Sequence, residues 1–171
     1  MNRRTVLALT TVGLSAVALS AGDAMAQRSL KDQLVGTWMQ VSAVNTATNG
    51  AKADLFGPNP KGLMIFESNG RYSQIAMRSD LPKFGTNNRA TGTADENKAV
   101  VQGSIAYFGT YSVNEAERSY TVQVEASTFP NWRGTAQKRT FSISGDADEL
   151  TFINAAGSSG GTNEVKWKRV K

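Results

Sequence analysis

Arg139 lies in Thr135–Ser144, where alternate residues divide into two sets: Gln137, Arg139, Phe141 and Ile143 on one face, Ala136, Lys138, Thr140 and Ser142 on the other. If the segment is a strand, the first set is the interior one. A guanidinium among apolar neighbours is costly unless something pairs with it. The preceding segment, Ser119–Ser127, offers Glu125, which shares a face with Thr121, Gln123 and Ser127, opposite Tyr120, Val122, Val124 and Ala126. With that polar face inward Glu125 meets Arg139, whereas the usual apolar-in, polar-out rule points it outward. Two readings stand side by side. In one, Glu125, Gln137 and Arg139 orient the polar end of a ligand whose apolar body is covered by Tyr72, Tyr107, Phe129 and Trp132. In the other, Glu125 and Arg139 form a buried structural pair and the aromatics fill core and rim.

Other chemistry is excluded by what the chain lacks. It has no histidine and no cysteine, which removes the commonest metal ligands, the Ser-His-Asp arrangement and the thiolate nucleophile together. No acidic run has the spacing of a calcium loop, no Gly-x-Gly-x-x-Gly follows a strand, and no phosphate-binding lysine motif is present. No metal and no cofactor is expected. The 19 basic and 14 acidic side chains give a net charge of +5, but the basic residues are dispersed. In the one concentrated stretch, Lys166 to Lys171, Lys166 and Lys168 fall on an outer strand face, with Trp167 and Arg169 on the other. Nucleic-acid binding is not expected.

Residues 1–26 carry Arg3 and Arg4, an apolar stretch from Thr5 to Ala21, and small residues at Ala24 and Ala26. These are the parts of a secretory signal peptide. The stretch is broken by Thr10, Thr11, Gly13, Ser15 and Ser20, short of the roughly 20 strongly apolar residues that span a bilayer, so no stable membrane anchor is expected after cleavage. Cleavage after Ala26 leaves residues 27–171 as a single domain in the periplasm or outside the cell. Arg3-Arg4 fits either the general secretory route or the twin-arginine route, which is reserved for folded cargo. Without cysteine, packing and strand pairing alone must stabilise that domain. Its oligomeric state is not readable.

The elements that must position Arg139 follow from turn signals between strand-length segments: Gly36–Asn45, Gly62–Ser68, Arg71–Arg78, Ser104–Val113, Ser119–Ser127, Thr135–Ser144, Glu149–Ala155 and Asn163–Val170. About eight antiparallel strands can close into an up-and-down all-β barrel with no free edge. Asn69-Gly70 predicts a type I′ hairpin turn. Ser29 to Leu34 reads as a short helical lead. Thr93-Ala94-Asp95-Glu96 has capping-box spacing and predicts one short helix just before the fourth of these strands. The loop before it, Ser79 to Gly92, is long enough to be a lid or a mobile linker. Phe56 to Gly62, with two prolines and two glycines, reads as a rigid loop packed on the barrel.

Leu34-Val35-Gly36-Thr37-Trp38 carries a Gly-x-Trp at the start of the first strand. With it stand Phe56-Gly57-Pro58-Asn59-Pro60-Lys61-Gly62, Ile105-Ala106-Tyr107-Phe108-Gly109-Thr110-Tyr111-Ser112-Val113, and Phe129-Pro130-Asn131-Trp132 running on to Gln137 and Arg139. Together these resemble the bacterial and fungal lipocalin-like domain family from about Leu34 to Trp167. The resemblance implies a barrel with a cavity, and a Trp closing one end beneath a basic residue of the last strand, positions that Trp38 and Arg169 fit. It implies little about chemistry, since fold does not give function.

Three functions remain. The first is a binding module for a small, mostly apolar or amphipathic molecule, with an anionic or hydrogen-bonding end suited to Arg139. The second is an isomerase or cyclase using Glu125 as base and a tyrosine as acid. The third is a packed structural or interaction barrel without ligand. The first is preferred, and catalysis is not the leading expectation.

Overall fold

Large apolar side chains at every second position drive this chain into strands, and a computed structural model describing residues 28–171 closes eight of them into an antiparallel barrel. The segment expected to be a signal peptide, residues 1–26, lies outside the described residues. The chain runs through α1 (Leu30–Leu34), β1 (Gly36–Thr46), β2 (Lys52–Asp54), β3 (Lys61–Phe66), β4 (Arg71–Met77), α2 (Ala94–Gly103), β5 (Ser104–Asn114), β6 (Ser119–Ser127), β7 (Ala136–Ile143), β8 (Glu149–Asn154) and β9 (Thr162–Arg169). Each strand from β3 onward pairs with the next, and β9 returns to β1 with Trp38 opposite Arg169 and Thr46 opposite Thr162. The all-β barrel and the helix before the fourth predicted strand, here β5, are both as expected.

Two local features depart from the sequence reading. The short strand β2 extends the sheet by pairing Val44 with Asp54 and Thr46 with Lys52; all three of its residues are exposed, so it carries no alternation to betray it. At Asn69-Gly70 only Gly70 takes positive φ, +89°, so the turn is not type I′. The Asn69 side chain instead accepts from Arg71 N–H at 2.8 Å and donates to the Glu67 carboxylate at 2.9 Å. That wraps a longer loop in which Gly70 supplies the one left-handed residue. In the loop from Ser79 to Gly92, Gly85 N–H donates to the Glu96 carboxylate at 2.7 Å, and the same carboxylate accepts from Thr93 N–H at 2.7 Å, completing the capping box of α2. The loop backs α2 from outside, and the rim of the barrel is formed by α2 itself.

The two ends of the barrel differ. At the end where α1 lies, Leu34, Trp38, Phe66, Tyr111, Tyr120, Leu150 and Trp167 are buried. The Phe66 ring meets Tyr72, Tyr111 and Tyr120 edge to face at 5.0, 4.9 and 5.1 Å, so aromatic rings plug this half. On β9, Lys166 and Lys168 are exposed and Trp167 is buried, the predicted division of faces. Arg169 spans the seam. Its guanidinium lies 4.1 Å from the Trp38 ring centroid. It donates to the carbonyls of Ala147 at 2.7 Å, Val35 at 2.8 Å and Gln33 at 2.5 Å, while Trp38 Nε1 donates to Leu34 O at 2.9 Å. One side chain thus fastens α1, β1, β9 and the β7–β8 turn. Glu115 adds a second clasp by accepting from the N–H groups of Leu30 and Lys31 at 3.0 and 3.1 Å.

Replacing Arg169 leaves three carbonyls and an indole face without their partner. Arg169→Met should lower unfolding free energy by about 2–4 kcal/mol, read from urea denaturation followed by near-ultraviolet circular dichroism. A loss below about 0.5 kcal/mol would show that the closed end is held by packing alone.

Candidate functional site

Towards the opposite end, the inward-facing rows of five strands change character. On β1 the row passes from Trp38 to Gln40, on β4 from Tyr72 to Gln74, on β7 from Phe141 to Arg139, on β8 from Leu150 and Phe152 to Asn154, and on β9 from Trp167 and Val165 to Asn163. All five polar residues are buried. Because adjacent strands run antiparallel, these residues sit at opposite ends of their sequences yet converge on the same half of the barrel. A register shift between Gln40 and Ser42 on β1 keeps Gln40 and Ala43 both buried while Val41 faces solvent. Gly62 on β3 gives Gln40 its room, since a Cβ there would collide with the Gln40 amide.

These residues, with Tyr107 and Trp132, line an interior cavity of about 50 Å³, large enough for a head group or a few waters. Leu55, Phe56 and Ile105 connect it to a vestibule of about 450 Å³ at the mouth, whose remaining wall is α2 (Val101, Gln102), Phe129 and Ser158–Ser159. Val101 stands 75% exposed on this rim. The Phe56 loop is therefore a wall of the mouth.

Arg139 is 2% exposed. Its Nη1 donates to the Lys138 carbonyl at 3.0 Å, its Nε is buried without a partner, and among the described residues no carboxylate pairs with it. Trp132 and Phe152 lie 5.6 and 5.9 Å from the guanidinium carbon, giving partial cation–π compensation. Both polar atoms of the Gln40 amide, the Tyr120 hydroxyl and Trp167 Nε1 are likewise buried and unpartnered. Tyr120 and Trp167 belong to the plugged end, but the Gln40 amide and Arg139 Nε both border the cavity, and because buried polar groups are normally satisfied, that pair marks the open half as the candidate site.

Aromatic rings lead from the rim inward: Phe129 meets Trp132 at 5.8 Å and Trp132 meets Tyr107 at 5.2 Å, both edge to face. Tyr107 and Tyr72 both donate to Gln74 Oε1, at 2.7 and 2.6 Å. Burial raises the Tyr72 hydroxyl well above its usual range and raises Tyr120 likewise, so both phenols stay protonated at neutral pH and neither can serve as counter-charge to Arg139.

Of the residues singled out in the sequence, Tyr107, Trp132 and Arg139 line the interior cavity and Phe129 the vestibule, while Tyr72 supports Tyr107 through Gln74. Gln137 sits on the inward row but is half-buried, with Nε2 donating to Thr135 Oγ1 at 2.8 Å. Glu125 requires correction. The apolar face of β6 points inward, which leaves Glu125 on the outer surface in a two-pronged ion pair with Arg71 at 2.5 and 3.1 Å. That pairing holds its carboxyl below the usual range. It neither meets Arg139 nor reaches the cavity, so the isomerase or cyclase reading loses its base. Gln40, Gln74, Asn154 and Asn163 were missed. Their signal was a polar residue at the same end of several otherwise apolar inward rows.

Among the described residues no three acidic, histidine or cysteine side chains converge as metal ligands, and no helix is long and apolar enough to cross a membrane. A family model described as lipocalin-like domain matches residues 35–170. The chain is also 31% identical over 94 residues to a 4'-hydroxy-3'-methoxypropiophenone carrier protein of Aspergillus oryzae, a match covering 52% of this chain and 85% of that protein.

An uncompensated buried cation costs the apo protein stability. Arg139→Met should leave unfolding free energy unchanged or raise it by about 1–4 kcal/mol in the same urea assay. A loss above about 2 kcal/mol would mean that Arg139 serves the fold.

Proposed function

We propose, from the premise that the chain belongs to the lipocalin-like domain family, that it is a carrier for one small amphipathic organic molecule held in the open half of the barrel. The observation that carries this is the buried Arg139, with unpartnered Nε and no carboxylate, facing a cavity open to a vestibule of drug-like size. The relative named for carrying an aromatic ketone supports a carrier role and an aromatic or similarly flat apolar body. Leu55, Phe56, Ile105, Val101 and Phe129 would cover that body, while Arg139 and the amides of Gln40, Gln74, Asn154 and Asn163 would fix its polar end. A fully packed structural barrel is less well supported, because it would leave the Gln40 and Arg139 groups unsatisfied without return.

The test is isothermal titration with 4'-hydroxy-3'-methoxypropiophenone and with 8-anilinonaphthalene-1-sulfonate. Saturable binding of at least one, to a single site per chain, is expected. It should be lost in Ile105→Trp, which fills the passage between vestibule and cavity, with thermal unfolding unchanged. Binding that survives Ile105→Trp would place the ligand elsewhere and overturn the reading.

The signal-peptide features of residues 1–26 further lead us to propose that this carrier works outside the cytoplasm, after export by the general or twin-arginine route. Protein recovered from the cell envelope or medium of its source should begin at Gln27 on N-terminal sequencing. An intact Met1 start in a cytoplasmic fraction would contradict this.

A further inference from the structure

Two arginines enter this barrel, and the chain treats them differently. Arg169 is satisfied by three backbone carbonyls and an indole face. Arg139, more deeply buried, has one backbone carbonyl. A guanidinium offers five N–H donors and keeps its charge at any pH at which a protein is folded, so it cannot escape burial by losing a proton. Among the described residues the cavity around it supplies dipoles and rings but no other charge. The polar side chains lining the cavity are the neutral amides and hydroxyls of Gln40, Gln74, Asn154, Asn163, Tyr107 and the Ser158–Ser159 pair. The five ion pairs found among the described residues lie outside the cavity: Glu125 is held by Arg71, Asp80 by Arg78, Glu117 by Lys138, Glu164 by Lys166 and Asp148 by Lys171.

We infer that the carried molecule is an organic acid, whose carboxylate or equivalent planar oxyanion enters head first and becomes the missing counter-charge of Arg139. This rests on the carrier reading and sharpens it. The Nε–H and free Nη–H groups of Arg139 form the planar fork that a carboxylate matches with two parallel hydrogen bonds. Gln40, contributed by β1 rather than β7, brings an unpartnered amide donor to the same cavity. The interior volume of about 50 Å³ admits a carboxylate and excludes the rest of the molecule, which the vestibule of about 450 Å³ then receives. Trp132, above the guanidinium and in contact with Tyr107 and Phe129, screens the ion pair from solvent. Screening of that kind makes the pair stronger than it would be in water.

The experiment compares acids with their neutral isosteres: phenylacetate, 4-phenylbutanoate and octanoate against the corresponding amides, titrated calorimetrically into the wild-type protein and into Arg139→Gln near pH 7.5. The wild type should bind at least one acid about tenfold or more tightly than its amide. In Arg139→Gln that preference should collapse, with the acid weakened about tenfold or more relative to the amide. A surface lysine or general electrostatic attraction would leave the preference intact in the variant. Acid and amide binding equally to the wild type overturns the inference and leaves the carrier reading standing. If no acid binds, the inference fails; if the phenone and the naphthalenesulfonate fail as well, the carrier reading falls with it.

Discussion

The return of β9 onto β1 is the contact on which the rest of this molecule depends. Without it each strand would still alternate, but no set of inward residues would face another across an enclosed space. At its end the seam is secured by Arg169, which reads carbonyls of α1, of its C-cap residue Val35 and of the β7–β8 turn, and lies over the Trp38 indole. Aromatic rings meeting edge to face fill that end. A stiff closed end frees the other half to be poorly satisfied, because stability gained at the plug offsets what polar burial costs at the mouth.

The division of labour is written along each strand. Five inward rows begin apolar at the plug and become polar near the mouth, so the interior changes from a core to a recognition surface over a few residues. Arg139 sits at that boundary, with phenylalanine one step deeper on its own strand and glutamine one step outward. Burial keeps the neighbouring phenols protonated, so among the described residues the one permanent charge lining this cavity is positive. Such a lining suits the placing and holding of a molecule proposed above. Among the described residues it has no carboxylate positioned to act as a base.

Most of the fold could be read from period-two patterns, because alternation reports directly on which residues must leave water. Ser119–Ser127 coincides with the predicted strand, and the other strands differ from prediction by a residue or two at either end. The Thr93–Glu96 spacing marks α2 through hydrogen bonds that are local in sequence. What could not be read depends on neighbours. Glu125 faces outward because Tyr120, Val122 and Val124 outweigh it on their strand, and its partner Arg71 comes from a different hairpin. Gln40, Gln74, Asn154 and Asn163 each look like a single polar interruption until barrel closure brings them around one cavity. β2, exposed at every residue, offers no hydrophobic signal at all.

The central claim is that a small molecule completes the coordination of Arg139 inside the open half of the barrel. The most direct measurement is the ¹H–¹⁵N correlation of arginine Nε groups in the labelled protein during titration with 4-phenylbutanoate. The account predicts that the Arg139 Nε–H resonance, assigned by its absence in Arg139→Gln, shifts and saturates while that of Arg169, already bound to Ala147 O at 2.7 Å, stays in place. A stationary Arg139 signal, with shifts confined to the outer faces of β4 and β5, would contradict it.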